Sequence, residues 1–280
     1  MLTVAAVAAA FTRDVDAGLA RVEAIVADAR QRGADLLVLP DASLGGYLAS
    51  FAAGEGTADP PPALDVDGPE LARVAAAARD LVVCLGVCEA DGGQRYNSAV
   101  CLDGSGVLGV HRKVHLPPAD REVYAAGDAF APCDTPVGRL GLLVDHDKTF
   151  PEAARTLAGR GALLVACLCA WPASTSVRAT RVDLDPQARL FDLYDRARAA
   201  ENQVVWVAAN QCGQHGQLRF LGRSKVVGPG GQTLARTGAK AGMAVATLDV
   251  ADEVERARRT LHHLDERRPE TYLDAEGTGP

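Results

Sequence analysis

LGLLVDHDKTFPE, residues 140–152, is the stretch on which the reading of this chain turns. Its apolar first half fits a buried strand over 139–145, and the chain then re-enters helix over 151–160 with Pro151 at the start, where a missing N–H costs little. Between them stand Asp145, His146 and Asp147, three side chains able to ligate a metal. Consecutive residues of a strand face opposite sides, so the three do not converge on one ion and no metal site is expected.

Outward from this stretch, strand and helix alternate. Residues 2–10 read as a first strand rather than a signal peptide, because no basic segment precedes them. Asp14 or Asp16 then caps a helix with Val15, Leu19, Val22, Ile25, Val26 and Ala29 on one face. Gly33 ends it before the apolar run LLVLP (36–40). Residues 51–68, rich in Gly, Pro and Asp, read as an exposed loop, and a second helix follows over 69–79. The turns at Asp91-Gly92-Gly93 and Gly104-Ser105-Gly106 divide 81–113 into antiparallel strands. Further strands are expected at 161–170, 203–209, 224–228 and 243–249, with helices at 186–202 and 251–264. Mixed strands and alternating helices point to a layered α/β (α+β) sandwich, with a single domain over 1–265 and a C-terminal extension over 266–280.

Composition narrows the partners. A 280-residue chain that is 48% hydrophobic can bury one large core. Its net charge is −7 and it has no long Lys/Arg run, so it lacks the electrostatic footprint of a nucleic-acid or anionic-membrane partner. No apolar run approaches the roughly 20 residues of a membrane-spanning helix. Seven cysteines, four of them (Cys84, Cys88, Cys167, Cys169) in apolar runs, read as reduced thiols in a cytoplasmic protein.

Several blocks together resemble the carbon–nitrogen hydrolases of the nitrilase superfamily. They are ARQRGADLLVLPDASLGGY (29–47), HRKVHLPP (111–118), 139–152, RARAAENQVVWVAANQCG (196–213) ending near Asn210, GRSKVVGPGGQTLARTG (222–238) and RRPETY (267–272). The resemblance implies a four-layer αββα sandwich, association as a homodimer or larger homo-oligomer, and no cofactor. It also implies hydrolysis or transfer at a non-peptide amide, carbamoyl or nitrile C–N bond through a thioester, by a Glu–Lys–Cys triad and often a second glutamate. Residue by residue, the lysine falls on Lys113 and the first glutamate's place is held by Asp41. The second falls on Asp120, with Glu122 as the alternative. The cysteine's place is held by Asp145 and that of the tyrosine after it by His146, while Asp147 matches a structural aspartate.

A carboxylate at position 145 cannot do what a thiolate does. It is a weak nucleophile toward carbonyls but a serviceable base or acid. Three carboxylates, Asp41, Asp120 and Asp145, around one lysine should force at least one of them to hold a proton. Asp145 and Asp41 are therefore expected as a base–acid pair, with Lys113 stabilising an oxyanion, for hydrolysis of a small-molecule substrate by activated water or for a non-hydrolytic step such as cyclisation, elimination or acyl transfer. Tyr47, His146 and Trp171 are the expected substrate contacts, and Cys169 is a candidate displaced thiol whose alternative is strand burial. His111 and His115 are expected to pack or hydrogen-bond beside Lys113. The competing reading is a catalytically silent homologue that binds a small ligand or serves as a partner subunit.

Overall fold

The computed structural model describes residues 1–177 and 179–272. In chain order its elements are β1 (Leu2–Ala9), α1 (Val15–Gln31), β2 (Leu36–Val38), α2 (Glu55–Ala58), α3 (Pro69–Ala78), β3 (Val82–Asp91), β4 (Gln94–Asp103), β5 (Gly106–Arg112), α4 (Pro118–Arg121), β6 (Cys133–Thr135), β7 (Gly138–Val144), α5 (Pro151–Gly159), β8 (Leu164–Cys169), α6 (Pro186–Asn202), β9 (Val205–His215), β10 (Leu218–Leu221), β11 (Lys225–Val227), β12 (Thr233–Arg236), β13 (Gly242–Leu248) and α7 (Val250–Thr260).

The strands divide into two halves. One runs β5-β4-β3-β2-β1, with β13 antiparallel to β1; the other runs β9-β8-β7-β6, with the hairpin β11-β12 on β9. They meet where Ala8 and Ala9 of β1 pair with Asn210 and Gln211 of β9. Strand alternation explains the layers, since successive side chains point to opposite faces. On one face of each half, Val4, Ala6, Leu36, Val38 and Val82 meet Leu140, Leu142, Val144, Leu164, Ala166 and Val207 in a central core. The opposite faces pack against helices: Ala5, Val7, Leu37 and Val83 on α1 and α3, and Leu143, Val165, Cys167 and Trp206 on α5 and α6. The result is the αββα sandwich.

Three departures from the sequence reading bear on the site. The strand expected over 139–145 stops at Val144, and Asp145–Thr149 form a 3₁₀ turn. The segment 51–68 contains one short helix, α2. Strand β9 continues to His215 and carries β10 antiparallel to it, while β6 forms a short hairpin with β7; both partners are too short to show periodicity. Of the expected extension 266–280, residues 266–272 lie beside the start of α5, where Glu266, Arg267 and Tyr272 share a groove with Pro151, Glu152 and Arg155. Residues 273–280 lie outside the described residues.

Candidate active site

The turn after β7 is built around Asp147. One carboxylate oxygen accepts from Val144 N and faces His111 Nε2 at 2.9 Å. The other accepts from Val114 N and His115 N and lies 2.9 Å from His115 Nδ1. Burial opposes the charge on Asp147, but the hydrogen bonds from both histidines outweigh it and hold the carboxyl far below the usual range. His115 stacks on Phe150 at 3.7 Å between ring centres. Both histidines therefore bind beside Lys113, as expected, and their shared partner is Asp147. With its oxygens spent on N–H donors, Asp147 ties the segment carrying Lys113 to the turn carrying Asp145. Residues 145–147 are not consecutive strand positions, so the opposite-faces argument against a metal does not hold; what keeps Asp147 from ligating is its saturation.

Asp145 sits at the tip of this turn with φ +46°, in the left-handed region that Asp tolerates better than most L-residues. Its Oδ2 lies 3.6 Å from Lys113 Nζ, and its buried Oδ1 has no protein partner. Lys113, fully buried, donates to Asp120 Oδ2 at 2.6 Å. Burial alone would lower its pKa; the carboxylates of Asp120, Asp145 and Asp41 reverse that and keep the ammonium charged. Asp120 Oδ1 accepts from the Tyr47 hydroxyl at 2.5 Å. Glu122, the alternative to Asp120, is exposed and accepts from Gly54 N, so it has no part in this cluster.

Asp41 lies deeper. Its Oδ2 accepts from Asn97 Nδ2 at 3.0 Å, its Oδ1 has no protein partner, and it makes no ion pair with Lys113. Burial, together with the neighbouring carboxylates of Asp145 and Asp120, lifts its pKa from 3.8 to about 7 against the pull of Lys113. The backbone here is held closely. Asp41 N donates to Cys169 O, Gln211 Nε2 donates to Asp41 O, and a side chain on Gly86 of β3 would come within 2.4 Å of Ala42 N. Only glycine allows this approach.

A cleft of about 590 Å³ opens over Asp145. Tyr47, His146, Trp171 and Tyr194 are among its walls, with Ser174 and Thr175 beyond them. Of the four expected catalytic groups, Asp145 alone lines it; Asp41, Lys113 and Asp120 are buried beneath. Burial pushes His146 below its ordinary pKa, so its ring is neutral at pH 7. Trp171 is fixed on three sides: its backbone N–H donates to Asn210 Oδ1, its indole N–H donates to Gln187, and Lys148 Nζ lies 4.9 Å from its ring centre.

One expectation fails on geometry. Cys169 does not reach the cleft. It shares a strand face with Cys167, 3.5 Å away between sulfurs, and both pack toward α5 and α6, so strand burial is the correct reading. Among the described residues no cysteine lines the cleft. A buried charge cluster also went unread: Asp195 accepts from Lys148 at 2.9 Å, from Lys225 at 2.5 Å and from Trp206 Nε1 at 3.1 Å. The signal was present, since Asp195 shares the apolar face of α6 with Phe191 and Ala199, and Lys225 begins an otherwise apolar strand.

Comparison with known proteins agrees with this architecture. The family model described as "Carbon-nitrogen hydrolase" matches residues 3–258. The chain is 33% identical to "Hydrolase in pqqF 5'region" of Pseudomonas protegens, over 93% of this chain and 87% of that protein. It is also 33% identical to an (R)-stereoselective amidase of Pseudomonas sp., over 84% and 80% of the two. Among solved structures it is similar to a mutant amidase from Nesterenkonia sp. AN1 (TM-score 0.77, 28% identity, 96% of this chain and 94% of that one), which carries the acetamide moiety of fluoroacetamide covalently added at its active site cysteine. The chain belongs to the carbon–nitrogen hydrolase family and is a hydrolase-like enzyme of the amidase/nitrilase class.

Proposed function

Starting from that membership, we propose that this enzyme hydrolyses the C–N bond of small amide- or carbamoyl-type substrates by activating water with Asp145, without a covalent thioester. The observation that carries the reading is the placement of Asp145: it is the one carboxylate of the cluster that lines the cleft, with Lys113 Nζ 3.6 Å from its Oδ2 and no protein partner on its buried Oδ1. A carboxylate held by one cation and otherwise unpartnered keeps the capacity to take a proton.

In this reading water adds to the acyl carbon as the Asp145 carboxylate accepts one of its protons. The charge developing on the carbonyl oxygen falls toward the neutral His146, whose ring N–H is a suitable donor. The C–N bond then breaks, and Asp145 returns the proton to the departing nitrogen. The products are a carboxylic acid (or carbamic acid) and ammonia or an amine, and Asp145 ends as it began. Lys113 and Asp41 are absent from the cleft lining, so they act through Asp145: Lys113 orients it, and Asp41 sets the charge of the cluster. This revises the expectation that both meet the substrate directly. A nitrile, which needs a first addition better suited to a thiolate, fits this site poorly.

The test is turnover on a panel of amides and carbamoyl compounds by wild type, Asp145→Ala and Lys113→Ala. Turnover in wild type, abolished by Asp145→Ala, is the expected result. If no member turns over, yet amide affinity survives both changes, the silent ligand-binding reading replaces this one. We also propose that the chain self-associates along α5 and α6, a reading supported by Leu193, which is 60% exposed on α6; sedimentation checks it.

A further inference from the structure

The aspartate that stands where a thiol is expected puts an acidic group in the cleft, and the surroundings do little to cancel it. Asp145 is the one Asp, Glu, Lys or Arg among the described residues lining the cleft, and burial holds His146 below its ordinary pKa. Beneath the floor, Lys113 is the single cation among three carboxylates, Asp120, Asp145 and the partly ionised Asp41. Behind the Trp171 wall, Lys148 is offset by Asp195, and Lys225 by Asp195 and Asp192; beyond Ala173–Thr175, Arg219 lines an adjoining pocket together with Asp185. The walls themselves are largely apolar or aromatic, with only the hydroxyls and amides of residues such as Ser174, Thr175 and Gln187 to solvate a polar end group.

We infer that the cleft selects its substrates by charge, admitting amides whose chain is uncharged or ends in an amine and excluding those whose chain ends in a carboxylate. The inference rests on the reading of this cleft as the substrate site. One excess negative charge acting over roughly 8 Å at an effective dielectric of about 20 changes an affinity by about 30-fold. Screening at physiological salt brings this nearer to about tenfold for each sign of charge. Amine-bearing and carboxylate-bearing chains of equal length should thus differ by about a hundredfold.

Calorimetric titration at pH 7 with 6-aminohexanamide, hexanamide and adipamate, three amides of matched length, measures this directly. The expected order is 6-aminohexanamide tightest, hexanamide about tenfold weaker and adipamate weakest, with the spread shrinking in 0.5 M salt and in Asp145→Asn. Adipamate binding as tightly as hexanamide would overturn the inference. So would equal affinity for all three, or no binding of any at millimolar concentration. Because affinity is read from the binding heats and hydrolysis separately from the products, the order can hold while hydrolysis is absent, which would refute the enzymatic reading alone. Hydrolysis with a preference for adipamate would refute the charge inference alone.

Discussion

Asp41→Asn should make this protein more stable at alkaline pH. The Asp41 carboxyl is fully buried and its pKa stands at about 7 instead of 3.8, so the folded chain keeps a proton that the unfolded chain releases. Between pH 4 and pH 7 the unfolded state therefore binds fewer protons than the native state, and the stability due to this group falls as pH rises, by about 1.4 kcal/mol per pH unit. Accumulated across that window, ionised Asp41 costs about 4 kcal/mol at pH 8. Asparagine removes the titration and keeps an oxygen to accept the Asn97 hydrogen bond. Its own NH₂ enters the place of an oxygen that has no protein partner, at a cost of about 1 kcal/mol. The net expectation is a gain of about 3 kcal/mol at pH 8 and a small loss at pH 4. Urea denaturation of both proteins at pH 4, 6 and 8 gives the difference free of every other titrating group. A wild type–variant difference that stays constant with pH would refute the assignment of the buried proton to Asp41.

Asp195→Ala strands the buried ammonium of Lys148 and leaves Lys225 with Asp192 alone, and should cost about 3–5 kcal/mol in denaturant melts. Asp195→Asn, which keeps shape and acceptor capacity, should cost less; equal losses would mean that the lost charge alone, and not packing or hydrogen bonding, accounts for the effect. Gly86→Ala places a methyl 2.4 Å from Ala42 N and 2.6 Å from Asp41 Cα, both backbone atoms that cannot step aside. It should destabilise by more than about 2 kcal/mol and shift the pH at which the Asp41-dependent stability is lost. A Gly86→Ala protein with unchanged melting and pH dependence would mean that the 40–47 segment is not held against β3.

What the sequence disclosed follows the reach of its periodicities. The extent of the helix over 186–202 was legible, and α6 covers those residues, but its buried face was not: Leu190 and Leu193, which suggest an apolar stripe, are exposed, while Ala188, Phe191 and Ala199 face the core. The 3₁₀ turn at Asp145 was not, because nothing in the residue types separates the last strand position from a left-handed turn; the backbone is bent there by Asp147 binding donors about 30 residues away. Cys169 was placed near the site by its position in the chain, yet a strand end has two faces, and parity with Cys167 turns its sulfur toward the helices. The choice between Asp120 and Glu122 depended on which side of one short helical turn meets Lys113, and that is settled by tertiary packing.

The clamp at Asp147 has a bearing on how this molecule came to hold an aspartate at position 145. The turn is secured from within by residue 147, by two histidines and by the backbone of the neighbouring segment, whereas the side chain of residue 145 lines the cleft and has Lys113, at 3.6 Å, as its one charged partner. The scaffold of the turn and the side chain at position 145 are thus mechanically separate. Such a frame lets residue 145 be exchanged while the architecture stands, so a lineage can alter the floor of this cleft at one codon without first rebuilding its fold.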